Sequence, residues 1–430
     1  MKKNLSLLAI TAVATASLAG CGSTGNDLSS SPASASSSAS EKEVTINIFH
    51  HLGEEAKRNG LKAITDMTTE KYPNIKFNIQ AIDYNSYNNI LKTKIAAGDA
   101  PDIVFGNPIA YRDMIKAGQI LDLTGESFFQ ELNPSALDEM TIDGKTYGVP
   151  LDIGAMGIYY NKDIFQEQGL QIPTTFSELI KVADALQAQK IIPFAHGFKD
   201  SWTAQADFQA DWYGNVSKFP DFFDKVQDGS QKFADSPEFK ASVERYKKRL
   251  SYSSGDDLGT DYAKSVQMFA GGKTAMLIEG DWSISEIRKN NPQGNFGFFA
   301  LPFSETASDN ILGISAGDAF MASAQTKHKD EVLKFFDSMN SAEGAKAWSD
   351  HSKTISANKN FTISGADPIT SDIFEYIQSS RTYSFGKAYT LTGQMDAIFR
   401  KFQETVGLDQ SANVDKLISH LDTDISRLLK

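Results

Sequence analysis

Cysteine is almost missing from this chain: Cys21 is the single one in 430 residues. That count excludes a disulfide framework, a zinc cage built on thiolates and a catalytic thiol inside a globular domain. Long apolar runs are missing as well. After the first 21 residues no stretch of about 18 apolar residues occurs, so no later segment reads as a membrane-spanning helix. Basic charge is in deficit, with 42 Lys+Arg against 54 Asp+Glu and a net charge of -12. Such a surface repels phosphate backbones, which excludes sequence-independent nucleic-acid binding. The six histidines never take the H-E-x-x-H spacing, and His50 and His51, adjacent on a strand, point to opposite faces. Gly271-Gly272-Lys273-Thr274 resembles the tail of a phosphate loop, but Gln267 stands where that pattern needs a glycine. What is plentiful is core material: 41% hydrophobic residues, with 28 Phe, 14 Tyr and 4 Trp. A disordered chain is thereby excluded, and this length predicts two domains of ordinary size.

The amino terminus has its own pattern. Lys2 and Lys3 precede a short apolar stretch over residues 5–18, which ends in Leu18-Ala19-Gly20-Cys21. The stretch is too short and too lightly flanked for a transmembrane helix. It resembles the signal peptide and lipobox of bacterial lipoproteins, in which the Cys becomes the first mature residue and its sulfur carries a diacylglycerol. The resemblance implies a signal peptide over 1–20 and lipidation (palmitate among the acyl chains) of Cys21. The protein would then be held on the extracellular face of the cell membrane, since two acyl chains anchor durably where one does not. The competing reading is an ordinary secretory signal with an incidental Cys. Residues 22–43 hold nine serines, three alanines, one proline and no aromatic, the composition of a flexible tether.

From Val44 onward strands and helices alternate. Residues 44–49 alternate as a strand, and residues 54–71 place Ala56, Leu61, Ile64 and Met67 at helical spacing before Pro73 stops the helix. A second strand follows at 75–79, a helix at 85–97, and a buried strand at 102–105 after Gly98-Asp99-Ala100-Pro101. Strands separated by helices of this length predict parallel pairing in an α/β sheet, with ligands beyond the carboxyl ends of the strands. The loops at 49–53, 82–85 and 106–109 are therefore candidates. A second unit begins after residue 130, with a strand at 157–160 and a helix opening at 173–179 that Thr174 or Thr175 would cap. The carboxyl-terminal part reads as helices at 331–338, 342–348 and 411–429.

Five short motifs then recur in order: Gly98-Asp99-Ala100-Pro101-Asp102-Ile103, Gly118-Gln119-Ile120-Leu121-Asp122-Leu123, Asp143-Gly144-Lys145-Thr146-Tyr147-Gly148-Val149-Pro150, Tyr159-Tyr160-Asn161-Lys162-Asp163-Ile164-Phe165, and Phe269 with Gly272-Lys273-Thr274-Ala275-Met276 to Gly280-Asp281-Trp282. In this order the chain resembles the extracellular solute-binding proteins of bacterial ABC importers, in the carbohydrate-binding branch typified by maltose-binding protein. The resemblance implies an α/β, two-lobed periplasmic-binding-protein fold. Each lobe would be a mostly parallel sheet flanked by helices, with the ligand cleft between the lobes. Residues 44–151 plus 316–366 would form one lobe and 152–315 plus 367–430 the other, with crossings near 150–155, 312–317 and 365–370. It implies a receptor that is not an enzyme, needs no cofactor and works as a monomer. Its partners would be an oligosaccharide and the membrane permease, with no nucleic acid.

Sugar rings offer C–H faces that match aromatic planes and hydroxyl edges that match carboxylates and amides. The resemblance places a stacking ring at Trp282, with Asp281 beside it as an edge partner or a helix cap. A looser match at Lys199-Asp200-Ser201-Trp202-Thr203 adds Trp202, and Trp212 is a further candidate. For each tryptophan the alternative is core packing, the reading preferred for Trp348. Asn107 follows the 102–105 strand; Gly106 stands where maltose-binding protein carries an aromatic, which argues against a maltose-like pocket. His50 or His51 ends the first strand at the cleft mouth, Asp152 and Asp318 sit at expected crossings, and Tyr383 or Phe385 would cover the ligand. The acidic loop at 254–261 reads as a solvated turn, with a calcium site as its alternative. Two other functions stay open: a surface-anchored carbohydrate hydrolase using paired carboxylates, and the same fold binding a polyamine, iron or a peptide.

Overall fold

The computed structural model describes residues 42–253, 255–361, 367–384, 386, 389–391, 393–409 and 411–429. The leader, Cys21 and most of the serine-rich tether therefore lie outside the described residues, as do Ser254 and Phe385.

Alternation in β1 (Val44–His50) buries Ile46 and Ile48 and turns Thr45 outward. The strand pairs in parallel with β2 (Ile75–Ala81) and β3 (Ile103–Phe105). Helices Glu55–Lys71 and Tyr84–Ala96 supply the crossovers that parallel pairing requires. Asp83 starts the second of them by accepting the Asn85 N–H, and Gly98 turns the chain out of it at φ 73°. A hairpin of β4 (Thr141–Ile142) and β5 (Lys145–Thr146) follows, with Asp143 and Gly144 both at positive φ. β6 (Gly148–Pro150) and β12 (Ala319–Ala322) complete a five-stranded sheet in the order β2-β1-β3-β12-β6.

The second sheet is built on β7 (Asp152–Asn161), ten residues that are nearly all buried. β7 pairs with β9 (Thr274–Gly280), β10 (Phe296–Phe299), β11 (Leu312–Ala316) and β13 (Ile355–Ser356). β8 (Ile192–Ala195) lies in parallel beside β9, and β14 (Thr382–Ser384) in parallel beside β11. Helix Phe176–Ala188 on this lobe starts from Thr175, with a full capping box to Glu178.

Both sheets are mixed, which corrects the expectation of mostly parallel ones. β7 meets β9, β10, β11 and β13 antiparallel, and β12 meets β3 and β6 antiparallel. The cause lies where the chain changes sheet. It leaves the first sheet through Leu151, from β6 into β7, and returns through Gly317 and Asp318, from β11 into β12. The outgoing and returning strands run side by side in opposite directions. Their ladder continues across the gap: Gly317 donates its N–H to the Asp152 carbonyl (2.8 Å) and Leu151 to that of Asp318 (2.7 Å). The result is one two-stranded ribbon threading both lobes. The third expected crossing, near 365–370, falls partly outside the described residues.

Beyond the second sheet, helices Trp202–Val216, Pro237–Leu250, Gly393–Leu408 and Val414–Leu428 enclose an aromatic core. Phe208, Trp212, Phe223, Phe233, Phe239, Phe399 and Phe402 meet there, mostly edge to face. Beside it lies a buried ion cluster. Arg249, with no exposed surface, bonds Asp207 (2.6 Å) and Asp211 (2.8 Å), and Arg245 closes on Asp211. His196 stands 3.5 Å from both Asp207 and Asp257. Burial opposes its charge, but the two carboxylates prevail and raise its pKa to about 9. Among the described residues no helix is long and apolar enough to cross a membrane.

Candidate functional site

The carboxyl end of β1, the start of helix Tyr84–Ala96 and the end of β3 open toward the returning strand and the second lobe. Two adjoining cavities of about 310 and 300 Å³ occupy that space. This is the lower range of a small-molecule site. They share His51, Lys57, Phe105, Gln209, Trp282 and Asp318.

The outer cavity is aromatic and amphipathic. Trp202, at the start of its helix, meets Trp282 edge to face (centroids 6.1 Å) and leans on Tyr262 at 5.1 Å. Tyr84, Gln205 and Arg400 complete it, and the Arg400 guanidinium reaches the Tyr84 hydroxyl of the other lobe (3.4 Å). The inner cavity is smaller in its side chains and richer in oxygen. Gly106, Gly154, Gly313 and Gly317 line it, with Asn107, Asp152, Asp281 and Ser315. Gly106 holds φ 144°, and a Cβ there would overlap the Tyr111 ring, so no larger residue fits. That explains locally why the aromatic expected from maltose-binding protein is absent.

Charge gathers on the floor. The Lys57 ammonium lies 2.5 Å from the Asp318 carboxylate, with Asp152 and Asp281 nearby. Burial opposes the lysine's charge, but these carboxylates outweigh it and raise its pKa. Asp281 and Asp318 both move upward, first through burial, against the pull of Lys57 and with a push from Asp152. The Asp281 carboxylate accepts the Ala155 N–H (3.2 Å), so it helps hold β7 as well as lining the cavity.

Of the residues singled out from sequence, Trp282, Asp281, Asn107, Trp202, Asp152 and Asp318 meet at this cleft. Asn107 also accepts the Ile109 N–H (2.9 Å), capping a short 3-10 turn. Asp152 is only 1% exposed and spends its carboxylate on structure, accepting from Trp348 Nε1 (2.9 Å), Thr354 (2.7 Å) and the Asp318 N–H (2.7 Å).

Three expectations are corrected. Trp212 is fully buried against Phe222 and Phe239 and lines neither cavity, because its helix is enclosed on nearly every side. His50 points inward, where its Nδ1 accepts the Leu52 N–H (3.1 Å); His51, the alternative, faces both cavities. Burial, and then Arg58, lower the pKa of His50 to about 4; burial lowers that of His51 to about 4 as well. Tyr383 lines neither cavity: its ring end packs against Gly313, and the residue borders a separate cavity of about 130 Å³ with Glu139. In the acidic loop, Asp257 faces His196 and Asp261 caps helix Tyr262–Ala270. Among the described residues no cluster of His, Asp or Glu is arranged to hold a metal.

Lys57, Gln209 and Arg400 were missed, while Tyr84 falls within the candidate loop at 82–85. Lys57 left a readable signal: it shares a helical face with Leu61, Ile64 and Thr68, all buried, where a surface lysine has no place. Gln209 and Arg400 left none, being ordinary polar residues on helices.

Residues 55–346 match the model of the family described as bacterial extracellular solute-binding proteins. The chain is 28% identical over 360 residues to the multiple sugar-binding protein of Streptococcus mutans, covering 81% of each chain. It is 26% identical over 279 residues to the maltodextrin-binding protein MdxE of Bacillus subtilis, covering 61% of this chain and 62% of that one. Among solved structures it resembles the solute-binding protein RafE in complex with raffinose (TM-score 0.75, 23% identity, 90% of this chain and 100% of that one). It also resembles a chitin oligosaccharide binding protein (TM-score 0.77, 22% identity, 90% and 98%). Both likenesses concern the fold.

Proposed function

Because this chain belongs to the bacterial extracellular solute-binding proteins, a family of binding proteins rather than enzymes, we propose that its cleft captures a short oligosaccharide and that the protein delivers it to an ABC importer. The observation that carries this reading is the pair of indoles, Trp202 and Trp282, set at an angle beside a floor of carboxylates and amides. Flat apolar rings suit the C–H faces of sugars, and Asp281, Asp318, Asn107 and Gln209 suit their hydroxyls. The two cavities suit more than one ring: an inner unit among the glycines and carboxylates, an outer one between the indoles. Sugar binding by the S. mutans and B. subtilis relatives, as their names state it, agrees with this.

On this reading the lobes are 44–151 plus 316–366 and 152–315 plus 367–430, and they close on the sugar. The mature protein is a monomer tethered through acyl chains on Cys21, with Trp282, Trp202, Asp281, Asp318 and Asn107 as ligand contacts. Isothermal titration with raffinose, stachyose, maltodextrins and chitin oligosaccharides tests the reading. Saturable binding of at least one is expected. Heat with spermidine and none with any saccharide would move the assignment to a polyamine.

A further inference from the structure

Trp282 stands two residues beyond β9 (Thr274–Gly280) and immediately before helix Ser283–Asn290, at a corner of the chain where the backbone alone does not fix the direction of an indole. Three neighbours fix it. The ring folds back over Gly280, so closely that a Cβ on residue 280 would overlap its outer carbons. Trp202 meets it edge to face. On the third side Glu279, only 2% exposed, accepts the indole Nε1–H through Oε2 at 3.2 Å.

We propose that Glu279 is a positioning residue: it fixes the attitude of the Trp282 ring and thereby the face that the cleft offers to a sugar. The inference rests on Trp282 being the stacking platform. Stacking is directional, since the C–H face must lie flat on the ring, so an indole tilted a few tens of degrees stays buried yet loses the contact. Gly280 and Trp202 constrain the ring only by bulk. The hydrogen bond to Glu279 alone specifies which edge points inward, because the indole has a single donor. Burial raises the pKa of the Glu279 carboxyl well above its usual range, with a push from Asp207 and Glu54 and against the pull of the Trp282 hydrogen bond itself.

The test is a double-mutant cycle read by raffinose titration, beside hydrogen exchange of the Trp282 indole proton in the ligand-free protein. Its nuclear resonance is assigned by its loss in Trp282→Phe. In the unaltered chain the Nε1–H should exchange at least tenfold more slowly than a free indole. Glu279→Gln, which keeps an acceptor, should bind raffinose within about twofold of the unaltered chain. Glu279→Met should bind about tenfold more weakly and yet cost nothing further in the Trp282→Phe background. Equal losses in both backgrounds, or unchanged binding by Glu279→Met, would overturn the proposal. If Glu279→Met does not fold, free exchange of the indole proton in the unaltered chain overturns it alone. Normal binding by Trp282→Ala would show instead that the platform reading is wrong, and the proposal falls with it. Absence of heat with raffinose and stachyose in the unaltered chain would count against the sugar reading, while the exchange rate still decides whether Glu279 holds the ring.

Discussion

Trp282 and Trp212 should answer the same substitution in opposite ways. Trp282 faces the cleft, so Trp282→Ala removes a stacking surface worth about 0.5–1.5 kcal/mol beyond its buried area. Affinity for whichever saccharide binds in titration should fall about tenfold or more, with the ligand-free melting temperature nearly unchanged. Trp212 has no exposed surface, so Trp212→Ala leaves a cavity among Phe222, Phe223 and Phe239. Ligand-free stability should fall by roughly 3–5 kcal/mol in denaturant unfolding, while the folded fraction binds normally. Sequence separated these two residues poorly for a physical reason. Trp282 follows a motif whose spacing is informative, but Trp212 sits on a helix buried on almost all sides, which leaves no polar face by which to tell inside from outside. His50 and His51 show the same limit, since strand alternation says that they diverge but not which of them enters the core.

The element that most governs behaviour is the ribbon of β6–β7 against β11–β12, the only ladder among the described residues that belongs to both sheets. A Cβ on Gly317 would overlap the Asp152 carboxylate and press on the Gly154 N–H. Gly317→Ala should therefore displace Asp152 from Trp348 and Thr354 and cost about 1–3 kcal/mol in thermal unfolding. Alternation of strand and helix made β1, β2 and β3 and their parallel pairing legible from Val44 on. The antiparallel half of each sheet was not, because it follows from two crossings that touch residues 167 positions apart and leave no local periodicity. A second element-scale device is the ion cluster that joins the end of β8 to two helices. His196 has its folded pKa raised to about 9 from 6.5, so the stability it gives is complete below about pH 6.5 and is lost as pH rises through about 9. Melting temperatures taken from pH 6.5 to 9.5 should fall, and the fall should flatten in His196→Gln.

At the scale of the whole molecule, a sugar that touches both lobes should favour a closed form. Small-angle scattering should show a smaller radius of gyration when the saccharide found by titration is saturating, and ligand at about 100 times its dissociation constant should add about 2.7 kcal/mol of stability. An unchanged radius at saturation would count against closure. If Cys21 carries the proposed acyl chains, Cys21→Ala should leave sugar affinity intact while releasing the protein from the membrane fraction or stopping it as precursor. The two-lobed plan was legible as a succession of motifs, whereas Arg400 at the cleft was not, since it meets Tyr84 and Gln205 only after the chain folds. The aromatic core of the second lobe has a further consequence, one of timing. Phe208 and Phe239 close against Phe399 and Phe402, and Ile418 to Ile425 seal them from outside. A ribosome adds about 5–20 residues per second, so the chain from Leu250 to Ile425 takes roughly 10–35 s to emerge. Throughout that interval half of an aromatic core waits for its complement, and the second lobe closes only when the last helix arrives.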